Sequence, residues 1–464
     1  MKLKNEEIVI DKINPFTNCK LEREPYALVL TEIVNSYADG FVLAINNEWG
    51  TGKSTFIKMW EQHLKNQKYK TLYFNAWEND FEDDVLVSLM SELEALKGTT
   101  TEKVFKNVVQ NAAPLVKGLA LGLLKTQIKK YVGDNFVNGP LNLTSEALAK
   151  GLEERIQSYA SRKNSIDEFK KSLEKFVKLT DDNLPVIFII DELDRCRPNY
   201  AVEVLEQIKH LFSVPGIIFV LSIDKVQLGH AVRGVYGSDN INADEYLRRF
   251  IDIEYAIPEP STKLFCKHLY DYFKFSDFIS SDERIKYSEL KGDSNKLIEF
   301  STALFNYERL PLRLQEKIFA HARLALRSFY SNDYLIPSLF IFLIYLKISH
   351  QSVYDNIKGG FYSLQELIDQ IENIIPKGLE NGDLRTFIYT EAILINSYNN
   401  SRDYNNKETI VAENKLIIKS KIDTSINNQT LLDMFQSLSQ FSSNSSELSI
   451  KHLTEKIDLI ETIK

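Results

Sequence analysis

Residues 41–55 read Phe-Val-Leu-Ala-Ile-Asn-Asn-Glu-Trp-Gly-Thr-Gly-Lys-Ser-Thr. Residues 41–45 form a short apolar run, the mark of a buried strand. Gly50, Thr51 and Gly52 turn the chain, and residues 56–64 follow with helical spacing. Strand, glycine turn, Lys-Ser and helix in this order make a phosphate-binding loop. Glycines let backbone N–H groups approach phosphate oxygens, and a helix start adds unpaired N–H groups and a positive dipole end. Lys53 reaches the β- and γ-phosphates, and the Ser54 hydroxyl ligates Mg²⁺. Nucleotide contacts are expected from Trp49, Gly50, Thr51, Gly52, Lys53, Ser54 and Thr55. The usual spacing G-x-x-x-x-G-K-[ST] puts a glycine where this chain has Asn47. Asn is the next most tolerant residue of a left-handed backbone, so the loop is still expected to form.

A second signature lies far downstream. Residues 186–190 are uniformly apolar and end in Asp191-Glu192-Leu193-Asp194-Arg195-Cys196. A carboxylate at such a strand tip, Asp191, holds the Mg²⁺ water shell. The adjacent Glu192 is placed to accept a proton from an attacking water. Further strands are expected at residues 71–74, 217–221 and 251–256. The fourth ends in Ser222, where a polar side chain would lie beside the γ-phosphate. Uniformly apolar strands alternating with helices predict an α/β fold with a parallel sheet covered on both faces. Ligand is then expected at the carboxyl ends of the strands.

Residues 1–97 and 181–260 thus read as two parts of one nucleotide-binding domain. Residues 98–180 carry no strand signal and read as a helical insertion, with helices over residues 104–116, 118–132 and 145–179. Its cluster of Lys125, Lys129 and Lys130 reads as a solvated helix face. Residues 261–395 read as a helical domain, and 396–464 as a linker and tail, with the Asn-rich stretch 396–408 as exposed loop.

The chain has 464 residues and a net charge of −8, so no basic footprint supports nucleic acid as a partner. Three widely spaced cysteines, Cys19, Cys196 and Cys266, suggest neither a disulfide framework nor a zinc site. Apolar runs at residues 112–124 and 335–346 fall short of the ~20 residues a spanning helix needs. The expectation is a cytoplasmic protein without a transmembrane span.

In combination, several of these pieces resemble the KAP family of P-loop NTPases. They are Asn47-Glu48-Trp49-Gly50-Thr51-Gly52-Lys53-Ser54, Phe74-Asn75-Ala76-Trp77, Ile190-Asp191-Glu192-Leu193-Asp194-Arg195-Cys196, the stretch from Tyr246-Leu247 to Pro258, and Arg23-Glu24-Pro25-Tyr26-Ala27. The resemblance covers roughly residues 10–360. It implies a sheet of order 5-1-4-3-2, an ATP-hydrolysing domain, Lys53 and Ser54 on phosphate and Mg²⁺, Asp191 on Mg²⁺ and Glu192 as base. Many members carry transmembrane helices where residues 98–180 stand, and bacterial members resemble phage-exclusion and defence proteins.

The expected function is an ATPase working with Mg²⁺ as a nucleotide-dependent switch, with a homo-oligomer or a partner protein to act on. A nucleotide-locked scaffold that hydrolyses little is the competing class, and Glu192 separates the two. Arg313, early in a helix after the fifth strand, is a candidate γ-phosphate reporter. Arg248 and Arg249, just before the fifth strand, stand where ring-forming P-loop ATPases present an arginine to the neighbouring subunit. Salt bridges to Asp244, Glu245 or Asp252 are the alternative for that pair.

Overall fold

The computed structural model describes residues 8–37, 39–82, 84–116, 145–181, 184–238, 240–441 and 449–459. Two compact units divide the chain at Glu259/Pro260.

The first unit is built on five parallel strands: β1 Val42–Asn46, β2 Lys70–Asn75, β3 Val186–Asp191, β4 Ile217–Ile223 and β5 Ile253–Tyr255. Their order across the sheet is β2-β3-β4-β1-β5, the order 5-1-4-3-2 that the resemblance implies. The three central strands alternate apolar residues to both faces, as the pleat requires. Leu43, Ile45, Ile187, Ile189, Ile218 and Val220 pack on one side with helices α1 (Glu24–Ser36) and α2 (Lys53–Asn66). Ala44, Phe188, Ile190, Phe219 and Leu221 face the other side. There they meet α3 (Val85–Glu94), α4 (Glu102–Ala112), α5 (Ser145–Thr180), α6 (Pro198–Gln207) and α7 (Lys225–Tyr236). The edge strands depart from the uniform burial expected. β2 alternates, and β5 keeps only three residues, all partly or fully exposed, because an edge has a neighbour on one side only.

The excursion between β2 and β3 is anchored on this core. Phe105 of α4 and Phe176 of α5 lie 5.2 Å apart, Phe169 meets Phe212 at 5.7 Å, and Asn111 donates to Ser172 Oγ at 3.2 Å. The helix expected over residues 118–132, with Lys125, Lys129 and Lys130, lies outside the described residues. After α6 the chain continues as a π-helix, Ile208–Phe212, and after α7 comes the short α8, Ala243–Leu247.

The second unit is helical: α9 (Thr262–Tyr272), α10 (Ser276–Ile279), α11 (Asp293–Tyr307), α12 (Leu312–Ala325), α13 (Pro337–Ser349), α14 (Gln351–Gly359), α15 (Leu364–Ile374), α16 (Asn381–Asn400), α17 (Gln429–Phe441) and α18 (Ile450–Ile457). The apolar run at residues 335–346 falls on α13, whose residues from Pro337 to Leu346 are all buried. Among the described residues no helix is long and apolar enough to cross a membrane.

Two expectations for the C-terminal part need correction. The loop expected from residue 396 is still helix as far as Asn400, and Ser397 and Tyr398 are buried. The asparagines disguise a helix held by Tyr398, whose hydroxyl donates to the Tyr362 carbonyl at 2.7 Å and accepts from Tyr362 N at 2.8 Å. The tail is also built into this unit. Asp458 accepts from Lys347 and Tyr354 at 2.8 and 2.9 Å, and Lys456 is buried against Asp333 at 3.2 Å. The β-branched run after residue 415 contributes only β7 (Lys415–Leu416), paired with β6 (Val411–Ala412).

Candidate nucleotide site

The register of the sheet aligns the ends of its strands. Asn75, Asp191 and Ser222 are direct neighbours on β2, β3 and β4, and Ser222 pairs with Ile45 of β1. The glycine loop leaves β1 one residue later, so all four strand tips border one place.

Gly50 and Gly52 adopt the left-handed conformation, with φ of 82° and 79°, and Gly52 caps α2. Asn47 does not. It is absent from the left-handed region, contrary to the reason expected for its tolerance. Its side-chain amide instead grips the backbone beyond β5, accepting from Ile257 N at 2.9 Å and donating to Ile257 O at 2.7 Å. Asn46 acts alongside it, donating to Glu254 at 2.8 Å and accepting from Lys225 N at 2.9 Å. Two asparagines therefore tie the start of the loop to β5 and α7.

Lys53 curls over the loop, donating to the carbonyls of Asn47 and, at 3.1 Å, Glu48. Burial lowers its pKa, and Asp194, Asp224 and Asp191 work against that loss. Trp49 is half exposed, yet its indole N–H donates to Asp194 Oδ2 and so bridges the loop to the segment after β3. Burial raises the Asp194 carboxyl above its usual range, and the Trp49 hydrogen bond opposes that rise. Thr51 Oγ1 closes the loop on the Glu48 carbonyl at 2.9 Å. Ser54 and Thr55 begin α2, both partly buried.

Asp191 is 1 % exposed. Its Oδ2 accepts from the Tyr73 hydroxyl at 2.8 Å and its Oδ1 from Glu192 N at 3.0 Å. Burial, and then Asp191 itself, push the Tyr73 phenol upward, which keeps it a donor. Glu192 is left-handed at φ 60°, a strained conformation for a non-glycine residue. That carboxylate meets Arg195 at 2.5 Å and accepts from Asn75 Nδ2 at 3.2 Å. Arg195 in turn lies over the Trp77 ring at 5.5 Å. Ser222 is fully buried, and its hydroxyl has no hydrogen-bond partner among the described residues.

Arg248 and Arg249 follow α8 and are exposed, and Arg248 faces Glu245 at 3.5 Å, one of the acids named as an alternative partner. The Arg249 carbonyl accepts from Lys209. Arg313 belongs to the second unit and is exposed in the first turn of α12.

The family model for the KAP family P-loop domain matches residues 23–306. The chain belongs to the KAP family of P-loop NTPases. The matched span holds the glycine loop, the Asp191-Glu192 tip and Ser222, and stops short of Arg313 and of most of the helical unit. This KAP chain is 28 % identical over 180 residues to an uncharacterized protein of Methanocaldococcus jannaschii, a match spanning 33 % of this chain and 89 % of that one. Among solved structures it is similar to the ORC2 protein of Aeropyrum pernix in ADPNP–ADP complexes. That match has 12 % identity, 95 % and 93 % coverage and a TM-score of 0.32. PCH-2 of C. elegans matches at 15 % identity, 66 % and 69 % coverage and a TM-score of 0.24.

Chemically, the site offers backbone donors and an ammonium for a polyphosphate, and a hydroxyl and a carboxylate for a hydrated divalent cation. No group of three or more His, Cys, Asp or Glu side chains among the described residues could hold a metal without a phosphate. Two contacts escaped the sequence reading. Tyr73 touches Asp191 and Asn75 touches Glu192; Asn75 had stood only as part of the Phe74-Asn75-Ala76-Trp77 motif, and Tyr73 was hinted at only by its place near the end of β2.

Proposed function

We propose that this chain binds ATP with Mg²⁺ and hydrolyses it, and that the nucleotide acts as a switch for contacts with a partner or a second copy. The observation that supports this best is the row Asn75, Asp191, Ser222 and Ile45 across four strand tips, with the glycine loop and Lys53 continuing from it. Ser54 and Asp191 would hold Mg²⁺, which supplies charge neutralisation at the β- and γ-phosphate oxygens. Asp191 keeps its orientation through Tyr73, and the orphan Ser222 hydroxyl is a donor waiting for a γ-phosphate oxygen or a nucleophilic water. Glu192 would take the proton of that water.

The grip of Arg195 and Asn75 on Glu192 favours a gated enzyme, and it is also what a slowly hydrolysing scaffold would have. Calorimetry of ATP binding together with phosphate release separates the two. Wild type should bind and turn over, and Lys53→Ala should lose binding, because a charge on the phosphates is removed. Tight binding with no turnover under any condition leaves the scaffold. Unchanged affinity in Lys53→Ala ends the whole reading.

Assembly is the remaining part of the proposal. Arg248 and Arg249 would act in trans, where a guanidinium is worth about 10³–10⁵-fold in rate. A role in anti-phage defence is supported only by the resemblance to bacterial family members, and a plaque assay with the Lys53→Ala variant tests it.

A further inference from the structure

Arg23 is a buried cation without an anionic partner among the described residues. It stands at the N-cap of α1, is 3 % exposed, and its side chain makes one hydrogen bond among those residues, from Nη1 to the Gly52 carbonyl at 3.3 Å. Its Nε is buried without a partner among them. Among the described residues no carboxylate pairs with it, and burial lowers its pKa. A guanidinium cannot shed its proton to escape this cost. Buried charges persist in proteins when something neutralises them, and among the described residues no acid does so.

Its location says what would. Gly52 is the residue before Lys53, and its carbonyl opens α2 by accepting from Phe56 N at 3.2 Å. A methyl group built on Gly52 would sit 3.4 Å from Arg23 Nη1, so the guanidinium lies directly against the glycine loop. We infer that Arg23 belongs to the nucleotide site, as a second fixed positive charge behind the loop whose counter-ion is the polyphosphate of the bound nucleotide. This rests on the proposal that the loop binds nucleotide. Arg23 acts through the loop and by its charge, as a positioning residue, and takes no part in proton transfer. The cost of burying it unpaired is recovered when a polyanion arrives, which couples the entry of α1 to nucleotide binding.

The test uses the full chain and three probes: Mg²⁺ with ADP, Mg²⁺ with tripolyphosphate, and adenosine. Arg23→Met removes the charge but keeps the volume, and Arg23→Gln keeps a donor for the Gly52 carbonyl. Without ligand, Arg23→Met should melt at the same temperature as wild type or higher, because an unpaired charge is gone. The rise in melting temperature with ADP or tripolyphosphate should shrink, and the ADP Kd by calorimetry should weaken about 10- to 100-fold, the worth of a charge-assisted contact. Adenosine should not distinguish the variants. If Arg23→Met does not fold, Arg23→Gln decides by the same Kd. A variant that melts early yet binds ADP and tripolyphosphate as wild type does makes Arg23 purely structural and overturns the inference. Wild type that responds to none of the phosphates overturns nucleotide binding itself.

Discussion

The indole N–H of Trp49 donates to Oδ2 of Asp194, across 145 residues of sequence. This one bond fastens the phosphate loop to the turn that carries Glu192. It also serves a carboxylate that is only 8 % exposed. Trp49→Phe keeps the ring and removes the donor. The carboxylate is then buried with less support, and stability should fall by about 1–3 kcal/mol at pH 8 in urea unfolding. The sign of the pH dependence follows from the raised Asp194 pKa. A raised carboxyl favours the folded state in acid and loses that advantage as pH climbs through its folded value. Losing the Trp49 bond lifts the value further. The deficit of Trp49→Phe should therefore be larger at about pH 8 than at about pH 5. A deficit that is flat with pH would detach Asp194 from the effect.

Asn47→Gly restores the glycine of the usual phosphate-loop spacing, and it should make the protein worse. Asn47 has no left-handed backbone for glycine to relieve, and its amide supplies two bonds to Ile257. Two net hydrogen bonds are worth about 1–3 kcal/mol, and glycine adds unfolded-state entropy on top. Denaturant unfolding of the single variant checks this. A more stable Asn47→Gly protein would mean that the Ile257 bonds do not hold in solution.

Much of the scaffold was legible because its signals are local. The run before Asp191 is apolar at every position, so it reads as a central strand from composition alone. Gly50 and Gly52 are needed for their backbone angles, and that need is visible in any glycine followed by Lys-Ser. The partners of Asn47, Trp49 and Arg23 were not legible. Each acts on a residue 29 to 210 positions away, through bonds that local spacing does not encode. The asparagine-rich end of α16 misled for a related reason. Its polar composition matches a loop, and the burial of Ser397 and Tyr398 that keeps it helical comes from packing within the second unit.

Ser222→Ala should separate stability from turnover. The hydroxyl is fully buried and unpartnered among the described residues, so its removal should leave unfolding free energy unchanged or raise it by up to about 1 kcal/mol. Turnover should drop roughly 10- to 100-fold if the hydroxyl donates to a charged oxygen in the reaction. Phosphate release measured at saturating ATP, beside a melting curve, gives both answers. Unchanged turnover would make Ser222 a packing residue.

Glu192 and Arg195 make opposite predictions. Glu192→Gln should keep ATP affinity and lose about 10²–10⁴-fold in hydrolysis, the usual worth of a general base. Arg195→Ala frees the carboxylate from a partner at 2.5 Å. The pair is partly exposed, so its hold is worth at most about 1 kcal/mol, and basal turnover should rise by up to about fivefold. Stopped-flow phosphate release reads both. A fall in turnover for Arg195→Ala would instead make Arg195 a participant.

The contact between Phe105 and Phe176 joins α4 to α5 within the excursion between β2 and β3. Both helices pack into the core on one face of the sheet, so the contact is held by the sheet on both sides. Closing a loop costs only about 0.6 kcal/mol more for each doubling of its length. By that measure the length of chain that joins α4 to α5 bears little on the stability of their contact. The strand tips that carry Asp191 and Ser222 are thus set by the packed helices, not by the length of what joins them.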